Sequence, residues 1–250
     1  MAQEGAMTNE NGRAGCEVAI VLSGSIVPAV SFVAVTDADT RRGQYLDSLR
    51  FYREFGPVFF LENSSYDLLA DPAFTRLDGV QLRKFSMLPE PERGKGYQEF
   101  AMLDAWHLQE EVPPARFLKV TGRYRFANIS RLLKECVAAA PDEILIDRFR
   151  NGSVAITSLF SIGWERYVDT IGGLYRDMDD SRDTWAEHVV YRALAGDPLV
   201  RNFAHEPDPR GISGTTAERL DVPAWKRAIR QVKRGVDRAA GVDDLRWRAL

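Results

Sequence analysis

Cysteine is scarce in this chain: Cys16 and Cys136 are the two among 250 residues. Two are too few for a disulfide framework, and neither stands in a CxxC or mixed Cys/His spacing, so no structural zinc is expected. An excess of one charge is lacking too. There are 33 basic and 36 acidic residues, a formal charge of -3, which argues against a chain whose main task is coating nucleic acid. A clean membrane-length run is also missing. Residues 18–36 carry no charge, but Ser23, Gly24, Ser25, Pro28 and Ser31 break the stretch. The residues before it hold Glu4, Glu10 and Glu17 against Arg13, the wrong sign for a secretory leader. The apolar run at 18–22 therefore reads as a buried strand ending in Ser-Gly-Ser, and the protein is expected to be cytoplasmic.

Several familiar catalytic signatures are absent. In a P-loop, Gly94-Lys95 would need a hydroxyl next and a glycine at position 89; the chain has Gly96 and Pro89. No GxGxxG follows the first strand. Gly211-Ile212-Ser213-Gly214 is one residue short of a nucleophile elbow. His205-Glu206 runs into Pro207 and has no HExxH partner. No Asp-x-Asp closes a strand in the first half; Asp37-Ala38-Asp39 precedes a helix instead.

What is present is ordinary globular composition, 45% hydrophobic and 28% charged. A chain of this length buries roughly 70–75% of its unfolded surface without staples. Residues 1–15 are polar, lack periodicity and read as a disordered leader. Strands are expected at about 17–22, 57–61, 80–83, 116–120, 143–149 and 153–160. Helices are expected at about 41–55, capped by Asp39 or Thr40, and at 97–109, with Phe100, Leu103 and Trp106 on one face. Further helices are expected at 130–139, 183–195 and 223–240. Residues 88–96 read as a charged Pro/Gly turn.

Strand and helix alternate, which predicts an α/β fold with a mainly parallel sheet, flanked by helices and ending in a helical C-terminal part. Ligands of such sheets sit beyond the carboxyl ends of the strands. Those ends are Ser23-Gly24-Ser25, Glu62-Asn63-Ser64-Ser65 and Thr121-Gly122-Arg123. Together they make a candidate nucleotide pocket found from topology.

Three strings carry a resemblance: Leu61-Glu62-Asn63-Ser64-Ser65-Tyr66-Asp67; Arg93-Gly94-Lys95-Gly96-Tyr97-Gln98-Glu99-Phe100; and Phe117-Leu118-Lys119-Val120-Thr121-Gly122-Arg123-Tyr124-Arg125. Their order and spacing resemble the sugar-nucleotide half of GT-A-type glycosyltransferases, whose sheet is Rossmann-like. The second and third look more narrowly like bacterial transferases that build surface polysaccharides, such as lipopolysaccharide or capsule. The resemblance implies a nucleotide-sugar-binding half at 16–130 and an acceptor-side half at 131–250 within one compact domain. It implies a nucleotide-sugar donor and a glycan or lipid-linked glycan acceptor. The chain departs from the pattern where the acidic metal motif should be, because Thr121-Gly122-Arg123 stands there. No metal ligand is therefore assigned, and a divalent ion is not expected to be required.

Sugar transfer builds negative charge on the leaving phosphate, and arginine's planar fork suits phosphate oxygens. Arg123, Lys95 and Lys119 could supply that charge, or be solvated turn cations and ion-pair partners. Gly94 and Gly96 would let backbone amides approach the phosphates at the start of a helix. Glu62 stands where the superfamily places an acid near base or ribose; a turn cap is the alternative, as for Asn63 and Ser64. Ser23, Gly24, Ser25, Thr121 and Gly122 complete the donor set. Tyr97 and Glu99 could face the donor. Near a helix start, Glu187 resembles the base of inverting GT-A enzymes, with His188 second and Asp180 or Asp183 beyond. His205 and Ser213, in a Gly-rich return segment, read as a donor-side lid or as a surface loop.

The terminal helix sets Trp225, Ile229, Val232 and Val236 on one face. Residues 218–250 hold nine basic and five acidic residues, a local +4. Its apolar stripe is expected to pack on the domain. The alternative is peripheral contact with the inner face of a membrane. Two other functions fit part of the pattern. A sugar-phosphate nucleotidyltransferase would need a cationic loop after the first strand, and none precedes Arg41. A non-catalytic glycan- or nucleotide-binding module would need no acidic motif.

Overall fold

The computed structural model describes residues 18–30, 34–212, 218–241 and 245. The first strand, β1 (Val18–Gly24), is apolar on both faces and lies inside a seven-stranded sheet, third from one edge. Alternation along it feeds two cores. Ala19 and Val21 point into one, Ile20 and Leu22 into the other. β2 (Val58–Glu62) divides in the same way: Phe59 and Leu61 against Val58 and Phe60. Strands buried on both sides need helices on both sides.

With β3 (Val80–Lys84), β4 (Arg116–Thr121), β6 (Ile144–Phe149), β7 (Val154–Gly163) and β8 (Val200–Arg201), the order is β3-β2-β1-β4-β7-β6-β8. β3, β2, β1 and β4 are mutually parallel. β7 runs antiparallel to both β4 and β6, and β8 is parallel to β6. The fold is thus α/β, with a mainly parallel sheet and a helical C-terminal part. β5 (Arg125–Phe126) and β9 (Pro209–Arg210) form a separate two-stranded ribbon.

On one face, α1 (Ala38–Tyr52) buries Tyr45, Leu49 and Tyr52, and α4 (Ile129–Ala138) buries Leu132. On the other lie α3 (Gly94–Gln109), α5 (Trp164–Thr170) and α6 (Ala186–Ala193), around Phe100, Trp106 and Val190. A short α2 (Pro72–Thr75) follows β2, and α7 (Ala224–Ala239) closes the described chain.

Three boundaries correct the sequence expectations. α1 is capped by Asp37, whose extended backbone lets its Oδ1 accept from Thr40 N at 2.8 Å. α3 begins at Gly94 instead of Tyr97, so Gly94-Lys95-Gly96 is its first turn and not a loop. α6 begins at Ala186, because the single turn at Asp180–Arg182 ends on Asp183 at φ 55°. The left-handed residue breaks helical continuity.

The largest correction concerns α7. Its apolar stripe does not pack on the domain. The helix docks through its cationic face: both Nη atoms of Arg234 donate to Asp147 at 2.7 Å, and Arg234 also pairs with Glu206. Arg227 donates to Asp208 at 3.0 Å, and Gln231 bonds the backbone of Ala204 and Glu206. Asp147 is a buried carboxylate on the central sheet, and leaving such a charge unpaired costs more than exposing apolar side chains.

Candidate functional site

β1, β2 and β4 end together. Gly122 N donates to Ser23 O at 2.8 Å, tying the third strand end to the first. A Cβ on Gly122 would fall 2.6 Å from that carbonyl, so only glycine permits the approach. Beyond these ends lies a cavity of about 150 Å³. Ser23, Gly24, Ser25, Asn63, Lys95, Thr121, Arg123 and Glu187 all line it, so the structure gathers eight of the sequence-selected residues.

The wall is cationic on one side. Arg41, in the first turn of α1, is 5% exposed and Arg123 7%. Arg41 donates through Nε to Ser25 O at 2.8 Å and Ile26 O at 3.2 Å, which fixes the loop after β1. Arg123 Nη1 donates to Gln44 Oε1 at 2.9 Å. Among the described residues no carboxylate forms an ion pair with either arginine. Burial lowers the Arg41 guanidinium below its ordinary value and the nearby Arg123 adds to that shift, while Tyr45 and the charge of Glu62 oppose it. Two close cations in a low-dielectric wall are stabilised by an anion placed between them.

Asn63 is 7% exposed, lines the same cavity, and leaves its Oδ1 without a hydrogen-bond partner. A buried acceptor with no donor costs about 1–3 kcal/mol, which a ligand N–H or O–H would recover. Its neighbour Glu62 is turned away from the cavity. Its Oε1 accepts from Ile26 N at 3.1 Å, from Ser64 N at 3.0 Å and from the Ser64 hydroxyl, and its Oε2 pairs with Lys84. Glu62 therefore braces the loops around the site.

Lys119 lies beneath the floor, fully buried, with Nζ 2.7 Å from Glu99 Oε1 and 2.7 Å from Thr157 O. Ser23 also donates its hydroxyl to Glu99. Glu99 itself reaches the cavity.

Across from the arginines stands Glu187, in the first turn of α6, with Thr157 Oγ1 donating to its Oε1 at 3.4 Å. Gly94 and Gly96 govern that placement. A Cβ at Gly94 would lie 2.0 Å from Asp180 Oδ2, and one at Gly96 2.8 Å from Ala186 Cβ. The two glycines thus seat the 180–186 segment against α3, and neither lines the cavity. Lys95 does line it, under the influence of Asp180. Burial raises the Asp180 carboxyl above its ordinary value, Lys95 opposes that, and Glu187 adds to it.

The remaining sequence candidates lie elsewhere. His188, one residue and about 100° round α6 from Glu187, lines a separate cavity with Asp183 and Tyr191. His205 Nδ1 sits 2.7 Å from Glu135 Oε1 on α4. Ser213 falls outside the described residues. Sequence reasoning did not assign Arg41, Gln44, Tyr45 or Thr157 to the site. Arg41 had one legible signal, as the first cation after β1. A second cavity, of about 240 Å³ and mostly apolar, shares Tyr124 and Ser158 with the first and extends toward α7.

The donor set at the end of β4 does not suit a metal ion: Thr121 offers a hydroxyl, Gly122 nothing, and Arg123 a charge that repels a cation. Among the described residues no group of three or more His, Cys, Asp or Glu side chains could share an ion.

No protein-family model matches the chain, and no curated protein sequence matches it. Solved structures share part of its framework. One is a Desulfovibrio desulfuricans G20 protein described as a candidate nucleotide-diphospho-sugar transferase, 12% identical, covering 75% of this chain and 79% of that one, with a TM-score of 0.46. Mouse xyloside xylosyltransferase 1 is 11% identical over 76% and 85% of the two chains, with a TM-score of 0.44. Rv0371c from Mycobacterium tuberculosis H37Rv, also solved with manganese, is 16% identical in that complex over 87% and 98%, with a TM-score of 0.43.

Proposed function

We propose that the protein is a glycosyltransferase that moves a sugar from a nucleotide-sugar donor to a glycan acceptor. The observation that carries the reading is the pair of buried arginines, Arg41 and Arg123, in a cleft at the ends of β1, β2 and β4, with no carboxylate ion-paired to either among the described residues. Such a cleft suits a diphosphate, and the unpartnered Asn63 Oδ1 beside it suits a donor group on the nucleotide. In the transfer, the bond from the sugar's anomeric carbon to the phosphate oxygen breaks and its electrons pass to the departing diphosphate. Arg41, Arg123 and Lys95 offset that charge. An acceptor hydroxyl forms the new bond and gives its proton to Glu187. The second cavity, joined at Tyr124 and Ser158, receives the rest of the acceptor. The counter-charge comes from these side chains, with no step assigned to a metal. A place in cell-surface polysaccharide assembly, lipopolysaccharide or capsule, in the bacterial cytoplasm is the setting this reading favours, on the strength of the sequence strings alone.

The test is a thermal-shift and turnover panel of sugar nucleotides, with and without manganese. At least one donor should raise the melting temperature. Arg123→Ala should weaken donor binding on the order of tenfold or more, and Glu187→Ala should remove turnover while donor binding persists. No shift with any donor under either condition sinks the proposal. Pyrophosphate release from a nucleoside triphosphate and a sugar phosphate would replace it with a nucleotidyltransferase.

A further inference from the structure

The terminal helix wears its polarity inside out. Trp225, Ile229, Val232 and Val236 recur at the spacing of one helical face, and they are 62%, 47%, 68% and 62% exposed. The opposite face carries Arg227, Gln231 and Arg234, all engaged by Asp208, Glu206, Asp147 and backbone groups of the domain. These contacts fix the rotation of α7 about its axis, so the apolar stripe is held outward by its own anchoring. The stripe runs across twelve residues, about 16 Å at the helical rise.

Its rim is cationic. Lys226 Nζ lies 5.5 Å from the Trp225 ring centroid, and exposed Lys233 stands one residue after Val232 and three before Val236. A tryptophan, branched aliphatics and flanking lysines match the boundary of an anionic bilayer, where the ring and methyl groups enter the acyl edge and ammonium groups meet phosphates. A second copy of this chain is the other occupant such a stripe would take, and light scattering separates that outcome from lipid contact. No helix among the described residues is long and apolar enough to cross a membrane, so the contact is with one surface.

We infer that α7 is a membrane-contact helix that lies flat on an anionic lipid surface through Trp225, Ile229, Val232 and Val236, with Lys226 and Lys233 against the headgroups. This assignment does not depend on the catalytic reading. It is tested by co-sedimentation of the full chain with vesicles of phosphatidylcholine alone and of equal parts phosphatidylcholine and phosphatidylglycerol. The protein should pellet with the anionic vesicles, weakly with the neutral ones, and less as salt rises. A Trp225→Ser/Val232→Ser variant should bind at least about tenfold more weakly, as should Lys226→Glu/Lys233→Glu. The serine variant should keep the wild-type melting temperature, since Trp225 and Val232 face outward. Absence of binding to anionic vesicles overturns the inference, as does unchanged binding by the serine variant. So does a dimer in light scattering that the serine variant disperses, because the stripe would then belong to a second copy.

Discussion

At the scale of single residues, the cleft depends on what is left out as much as on what is present. Gly122 has no side chain because Ser23 O occupies that space. Gly122→Ala must displace a backbone carbonyl and should cost about 1–3 kcal/mol, read as a lower denaturant midpoint with an unchanged slope. Gly94 and Gly96 looked in sequence like a phosphate-cradling turn, and the structure uses them to admit Asp180 and Ala186. The same absence of a Cβ serves either purpose, so the sequence pattern could not separate them. Glu62 and Asn63 show the same ambiguity: neighbours on a strand end point to opposite sides, which puts the amide at the cavity and the acid behind it.

At the scale of elements, side chains that join segments carry much of the order. Asp71 caps α2 by accepting from Ala73 N at 2.9 Å, and its other contacts reach Arg42 on α1, including Nη2 at 2.7 Å. The Arg42 side-chain hydrogen bond is the main cause that draws the Asp71 carboxyl down to about 2 from its ordinary value of 3.8. The folded value lies below the unfolded one. This contribution is therefore fully present above about pH 4 and is lost as pH falls toward 2. Asp71→Asn should lower stability by roughly 1–2 kcal/mol at neutral pH. The deficit against wild type should shrink in urea melts taken through that acid range.

The position of α7 shows how an element's place can oppose its pattern. Periodicity located the helix at 223–240, close to the observed Ala224–Ala239, but an apolar stripe by itself says only that one face avoids water. The choice of face was made by Asp147 and Glu206, which lie 87 and 28 residues away from Arg234 in the chain.

For the whole molecule, the buried cluster of Arg234, Asp147 and Glu206 couples the C-terminal helix to the central sheet. Arg234→Ala takes the arginine from buried Asp147 and leaves Glu206 only its longer contact with Arg230, and should cost about 3–5 kcal/mol. The loss should appear as a lower melting temperature for the entire protein, and not as separate release of α7, because β6 shares the anchor. Burial raises the Glu206 carboxyl, while Arg234 opposes that shift. Removing the arginine should push Glu206 further up, so the variant's deficit should narrow as pH falls and the acid is neutralised.

Six of the seven sheet strands, the mainly parallel order and the three strand ends were legible because they follow from local pattern: apolar runs buried on both faces, and turn residues where the runs stop. The two-residue β8 was not, because so short a strand carries no periodicity. Local pattern was enough to pick out three polar strand ends, Ser23-Gly24-Ser25, Glu62-Asn63-Ser64-Ser65 and Thr121-Gly122-Arg123, but not which side chain of each reaches the cavity. Only the tertiary structure decided that Arg41 joins Arg123 there, that Lys119 lies under the floor, that His188 faces another cavity and that α7 turns its apolar stripe outward. Each of those outcomes depends on a contact between segments far apart in the chain, and the energy of such a contact is written in neither segment alone.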